Sequence, residues 1–429
     1  MRKQYQICIY SISQLAATKT KTSAQGHRFR IIHVEDKTAP TSRSRAKVTS
    51  EDLKPALAYC NQIIYGWYGI GSGEYDIDTL GKSDSDKGKV HIRAVTALKK
   101  TSPNLKVLLS IGGWADKEDL ETPERRTKFA NSVAKKVDDY GFDGVDLAWE
   151  FPPDKEPKDR GIFGSLWHGT KKIFSGDRDK NPEAHREQFS ALARELKAVL
   201  RPKGHLLSIS NLPHVNNTVY YDIPILNPFV DQYIIHSYDF RTPERTPKQA
   251  DYSAPLYFPQ NRVPFQNVEA MADKFIKKGA TPDKIIIAVP TFGRTWELDS
   301  DSGKTGQPPL VADGKGKEGT YTKTEGLLSY YEICPHLVTS SSAKVDGVLL
   351  RKVPDPSKRA GAYAYRLPGK EDGIWVSYED PEQAAAKALF ARNKNYGGVA
   401  VVDLSLDDFK GMCDGTPFPI TRAVKSNLL

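Results

Sequence analysis

The run at 142–150, Phe142-Asp143-Gly144-Val145-Asp146-Leu147-Ala148-Trp149-Glu150, holds three carboxylates in nine residues. Read as a strand, alternate residues share a face, so Asp146, Ala148 and Glu150 point the same way and Glu150 stands at the strand's end. A carboxyl group taken out of water costs free energy unless it is bonded or used. An acid at the rim of a barrel strand with a second beneath it is costly placement, which marks both as candidate functional groups. A plainer account fits the same residues: carboxylates satisfied by bonds from neighbouring strands.

The remaining reactive side chains are scattered. The four cysteines, Cys8, Cys60, Cys334 and Cys413, form no CxxC pair, and the nine histidines form no cluster, so no metal and no cofactor is expected. Four cysteines allow three pairings, and four reduced thiols in a cytosolic protein fit equally well. Asn216-Asn217-Thr218 is the one N-glycosylation sequon noted, on the connection after the fifth strand.

Several elements must position these groups. Apolar strand-like runs fall at 5–12, 63–68, 107–111, 144–149, 206–210, 232–237, 285–290 and 398–404. Helical spacing of apolar residues lies between them, for instance at 127–139 and 184–200. Eight alternating units predict an α/β fold, a closed (β/α)₈ TIM barrel, with its chemistry at the C-terminal ends of the strands. The gap between the last two strands is too long for one helix and predicts a small α+β insertion domain at 297–377, leaving 1–296 and 378–429 to the barrel.

Composition narrows the function. At 39% hydrophobic and 27% charged, the 429 residues read as a soluble globular protein with no run long enough to span a membrane. Of the net charge of +9, +6 gathers between Gln14 and Lys47, where eight Lys or Arg face two acidic residues. A polar basic stretch without a nucleic-acid motif predicts a mobile insertion at 14–47, not a phosphate-binding face. After Arg2 and Lys3, the apolar stretch is broken by Gln6, Ser11, Ser13 and Gln14, so it reads as a first strand and no secretory leader is evident.

Ser110-Ile111-Gly112-Gly113-Trp114, the 143–150 run, Tyr238-Asp239, Gly293-Arg294, and Gly397-Gly398 through Asp407-Asp408-Phe409 together resemble the ordered strand motifs of the chitinases of glycoside hydrolase family eighteen. That resemblance implies Glu150 as general acid, with Asp143, Asp146, Tyr238 and Asp239 as vestiges of the catalytic set. It implies Trp114, Tyr238, Arg294 and Trp375 as sugar-binding residues. The family uses the substrate's own acetamido group in place of a second protein carboxylate.

Two departures bear on activity: Ala148 stands where the signature has its middle aspartate, and Val402 where the eighth strand has tryptophan. His236 replaces the usual methionine. The Asp146-Leu147-Ala148-Trp149 core, the loop at 151–182 and the stretches at 238–245 and 401–405 are similar to the imaginal disc growth factors, chitinase-like secreted proteins of insects. This closer resemblance implies a secreted monomer with little or no hydrolytic activity, a chitooligosaccharide or related glycan as ligand, and a cell-surface receptor. It also implies the pairs Cys8 with Cys60 and Cys334 with Cys413. Retained Glu150 keeps an alternative open, an active chitinase.

Overall fold

The computed structural model describes residues 4–11, 48–70, 77–78, 86–112, 122–151, 179, 181–213, 215–338 and 349–428. Eight parallel strands form a ring: β1 (Tyr5–Ser11), β2 (Gln62–Ile70), β3 (Lys106–Gly112), β4 (Gly144–Ala148), β5 (Leu206–Asn211), β6 (Gln232–Ile235), β7 (Ile285–Pro290) and β8 (Gly398–Val402). Each pairs with the next, and β1 also pairs with β8, so the expected (β/α)₈ barrel is closed. The expected insertion at 14–47 lies outside the described residues.

Alternation along each strand divides the core. Ile7, Ile9, Ile64, Leu108, Ile234, Ile286, Ala288, Ala400 and Val402 pack together inside the ring. Their neighbours Cys8, Ile63, Val107, Leu109, Val145 and Leu147 pack in the outer core with the helices. Strands buried on both faces are apolar at most positions, which is why the eight runs read as nearly continuous. At β8 the backbone of β1 comes so close that a Cβ on Gly398 would stand 1.8 Å from the Tyr5 carbonyl oxygen.

The longer helices are α1 (Asp86–Ala97), α2 (Pro123–Tyr140), α3 (Pro182–Leu200), α4 (Val268–Lys277), α5 (Pro381–Asn393) and α6 (Pro419–Leu428). Helix α2 begins four residues before the apolar spacing does, because Thr122 caps it and Pro123 fits its first turn; it ends at Gly141, whose φ is 71°.

Between β7 and β8 a second sheet forms, with strands in the order Leu327–Ser329, Phe292–Leu298, Gly373–Tyr378, Ala362–Arg366, Leu350–Val353 and Leu337–Val338. It takes in residues 292–296, ahead of the boundary expected at 297, because Phe292–Leu298 continues almost directly from β7 and pairs with Gly373–Tyr378. Its own core gathers around Trp296, Trp375 and Tyr363. Both implied disulfides are present: Cys8–Cys60, with Cα atoms 5.8 Å apart, ties β1 to the turn before β2, and Cys334–Cys413, at 5.6 Å, ties the insertion to the segment after β8. Among the described residues, no helix is long and apolar enough to cross a membrane.

Candidate functional site at the C-terminal rim of the barrel

Asp146 lies inside the barrel, fully buried, on β4. Its Oδ2 accepts from Ser110 Oγ on β3 at 2.7 Å, and its Oδ1 from Ser208 Oγ on β5 at 2.7 Å. Ser210 Oγ completes the cage at 3.0 and 3.1 Å from the two oxygens. Burial pushes the Asp146 carboxyl above the usual carboxylate range, and the three serine donors pull it back only in part.

Two residues further along the same strand, Ala148 is also fully buried and pairs with Gly112 of β3. The strands approach so closely that a Cβ on Gly112 would meet the Ala148 carbonyl oxygen at 2.1 Å. Strand β4 stops at Ala148, one residue short of the expected end, so Glu150 is presented from the chain just past the strand, with 9% of its surface exposed.

Tyr238 and Asp239 follow β6. The Tyr238 ring joins the cluster inside the barrel with Val402, Ala254 and Ala288, meets Phe292 edge-on at 5.6 Å, and has its hydroxyl 2.6 Å from His236 Nδ1. Burial raises its pKa well above 10, and the charges of Asp239 and Asp403 add to that rise. Asp239 adopts a left-handed φ of 57°. Its carboxylate receives two parallel bonds from Arg294, Nε to Oδ1 at 2.8 Å and Nη2 to Oδ2 at 2.6 Å, plus one from Ser253 Oγ at 3.3 Å. Arg245 donates to the Asp239 carbonyl. Burial alone would lower the Arg294 pKa; the charge and hydrogen bonds of Asp239 outweigh it and hold the guanidinium above its ordinary value. The pair joins the barrel rim to the insertion sheet.

Two candidates stand apart from this rim. Asp143 precedes β4 and so lies at the opposite end of the strand, where it accepts from Val107 N at 2.9 Å and pairs with Lys99 at 3.0 Å and Lys106 at 3.2 Å. It is a strut between strand and helix. Trp375 is fully buried in the insertion, stacked on Tyr363 at 5.3 Å and edge-on to Trp296 at 5.6 Å, with its Nε1 donating to Gly306 O at 2.9 Å. It offers no face to a ligand. Trp114 and most of the loop expected at 151–182 lie outside the described residues.

A glycosyl hydrolases family 18 model matches residues 36–407. The chain belongs to that family. Within family 18 it is similar to chitinase-like protein EN03 of Bombyx mori, 46% identical over 397 residues, covering 90% of this chain and 92% of that protein. It is likewise similar to imaginal disk growth factor 6 of Drosophila melanogaster, 43% identical over 405 residues and 89% of each chain. Its place is thus among the chitinase-like growth factors of the family. Among solved structures, the second catalytic domain of an Ostrinia furnacalis Group II chitinase superposes with a TM-score of 0.74 at 26% identity, over 99% of this chain and 96% of that one. Human YKL-39, a pseudo-chitinase, shares the fold at a TM-score of 0.73 and 23% identity, over 99% of this chain and all of that one.

The serine cage was not evident from motifs alone, although Ser208 and Ser210 alternate on β5 in phase with Asp146 and Ser110 opens the Ser110-Ile111-Gly112-Gly113-Trp114 run. A polar residue at every second position of an otherwise apolar strand was the available signal. Arg245 and Ser253 carried none, because their partner Asp239 is reached only through the turns of the loop after β6.

Proposed function

We propose that this family 18 chain is a chitinase-like growth factor that does not hydrolyse chitin, acts outside the cell and binds N-acetylglucosamine-type glycans at the C-terminal rim of its barrel. The observation that carries the reading is the methyl group of Ala148. Between caged Asp146 and rim Glu150, the strand presents nothing able to accept a hydrogen bond or to balance a positive charge. Substrate-assisted cleavage needs both an acid for the leaving group and a carboxylate for the acetamido group. Glu150 supplies the first. A charge-assisted bond formed mainly in the transition state is worth about 1.5 to 3 kcal/mol, so its loss slows the step by roughly ten- to several-hundredfold.

Val402 works in the same direction. A branched aliphatic side chain inside the barrel gives a sugar ring no flat aromatic surface to stack on. Tyr238, Asp239 and Arg294 offer polar groups at the rim for a glycan, and the reading is supported by a related Ostrinia furnacalis chitinase domain, 25% identical, solved as a mutant in complex with penta-N-acetylchitooctaose. Two disulfides favour an oxidising compartment, hence secretion. In the sequon, Asn216 Oδ1 accepts from Thr218 N at 3.0 Å and from Thr218 Oγ1 at 2.5 Å, an Asx-type turn at the start of a short helix, and Asn216 is proposed as the glycosylated residue.

The test is a turnover assay of purified protein on N-acetylglucosamine oligomers, with calorimetric binding in parallel. Binding without turnover is the expected result. Turnover within about tenfold of an ordinary glycosidase, whose kcat is roughly 1 to 1000 per second, would favour the second reading, an active chitinase built on Asp146 and Glu150.

A further inference from the structure

The two disulfides sit in different surroundings. Cys8 is fully buried and Cys60 is 6% exposed, packed in the outer core. Cys334 and Cys413 are only partly buried, and Cys413 lies in a turn whose Met412 is 49% exposed and whose Asp414, Gly415 and Thr416 are exposed too. Thiol–disulfide exchange requires a thiolate to reach a sulfur, so the second bridge is the accessible one.

A carboxylate adds a second difference. One carboxylate oxygen of Asp408 and the sulfurs of Cys334 and Cys413 all lie within 4.8 Å of one another. Asp408 is fully buried. Its Oδ2 accepts from Cys413 N at 2.6 Å, while no donor among the described residues reaches Oδ1. A buried acceptor without a donor raises the free energy of the state that contains it. A closed disulfide has no hydrogen to give, whereas a thiol S–H is a donor. Opening this bridge therefore places an S–H donor within 4.8 Å of the Asp408 carboxylate, where the closed form has none. Nothing equivalent faces Cys8 or Cys60 among the described residues.

We propose that Cys334–Cys413 is a thiol–disulfide exchange site for dithiol reductants, opening while Cys8–Cys60 stays closed. A thiolate of the dithiol attacks Cys413 Sγ, the bond between the sulfurs breaks, and Cys334 leaves as a thiolate that takes up a proton. The second thiol of the reductant then attacks the mixed disulfide, releasing Cys413 as a thiol and leaving the reductant as a cyclic disulfide. The protein gains two electrons and two protons.

Both tethered elements keep their own anchors after opening. The Glu332 carboxylate accepts from Tyr321 N at 2.6 Å, Ser329 N at 3.0 Å and Ser329 Oγ at 2.7 Å, which holds the helix before Cys334. Asp407 Oδ2 accepts from Thr421 N at 2.9 Å and Thr421 Oγ1 at 2.6 Å, which holds α6. Exchange thus releases a tie between insertion and barrel without unravelling either side.

The experiment equilibrates the full chain in a series of dithiothreitol ratios, reduced to oxidised, followed by alkylation, peptide mapping and circular dichroism. Cys334 and Cys413 should be alkylated at a ratio at least about tenfold lower than Cys8 and Cys60, with the spectrum unchanged. Joint opening of both bridges, or opening of Cys334–Cys413 only as the spectrum collapses, overturns the proposal. Asp408→Asn retains an acceptor for Cys413 N–H but puts an amide donor where Oδ1 stood, and should make the bridge harder to reduce by about threefold or more. An unchanged ratio in the variant would remove Asp408 from the mechanism.

Discussion

At position 148 the absent group is a single carboxylate, so restoring it is the sharpest test of what the rim can still do. Ala148→Asp should produce measurable release of a fluorescent leaving group from a chitobiose conjugate, and Glu150→Gln in that background should abolish it. Val402→Trp should add to the gain. A folded but silent Ala148→Asp protein would instead point to Val402 and His236 as further obstacles. The alternation that singled out Asp146 and Glu150 is visible in the sequence, because a strand of period two leaves few choices. The same rule, applied with its direction, separates Asp143: it falls in the other phase and at the other end of β4, with lysines from a distant helix and a neighbouring strand as partners. Trp375 was misleading for a related reason. A tryptophan suits a sugar platform or a core, and only the two rings packed against it decide between them.

Elements were legible where local chemistry marks them. Proline after a capping residue opens α2, α3, α5 and several shorter turns, and helix starts lie earlier than apolar spacing suggests because the first turn is polar. What the segment after β8 does was hidden, since Asp407 serves a helix that starts twelve residues later. Burial raises the Asp407 carboxyl to about 6, against bonds from Thr421, Asp408 N and Ile420 N that lower it. With a folded pKa above the unfolded value of 3.8, its contribution to stability is complete below that value and is lost as pH rises through about 6. Asp407→Asn imitates the protonated form. Its melting temperature, relative to wild type, should therefore climb by several degrees between pH 4 and pH 7; parallel melting curves across that window would refute the assignment.

At the scale of the whole molecule, the insertion is coupled to the barrel by the Arg294–Asp239 pair as well as by covalent bonds. Arg294→Ala leaves the buried Asp239 charge unmatched and should cost about 3 to 5 kcal/mol in urea unfolding, beyond any effect on glycan binding. A loss under 1 kcal/mol would mean that solvent reaches the site. The ring of strands has a further consequence, for the order in which the protein can be made. Tyr5 pairs with Gly398, and Gln6 Nε2 donates to Thr421 O at 2.8 Å across 415 residues. On the ribosome β8 emerges after the other seven strands, so until then β1 and β7 each expose an unsatisfied row of backbone donors and acceptors. Completion of the barrel is a late, non-local and comparatively slow event, and the nascent chain is at its most adhesive just before it. Deleting residues 398–429 should trap that stage: light scattering should find larger, self-associated material than for the full chain under the same conditions, and a truncated chain no larger than the full one would show that the edges are shielded in another way.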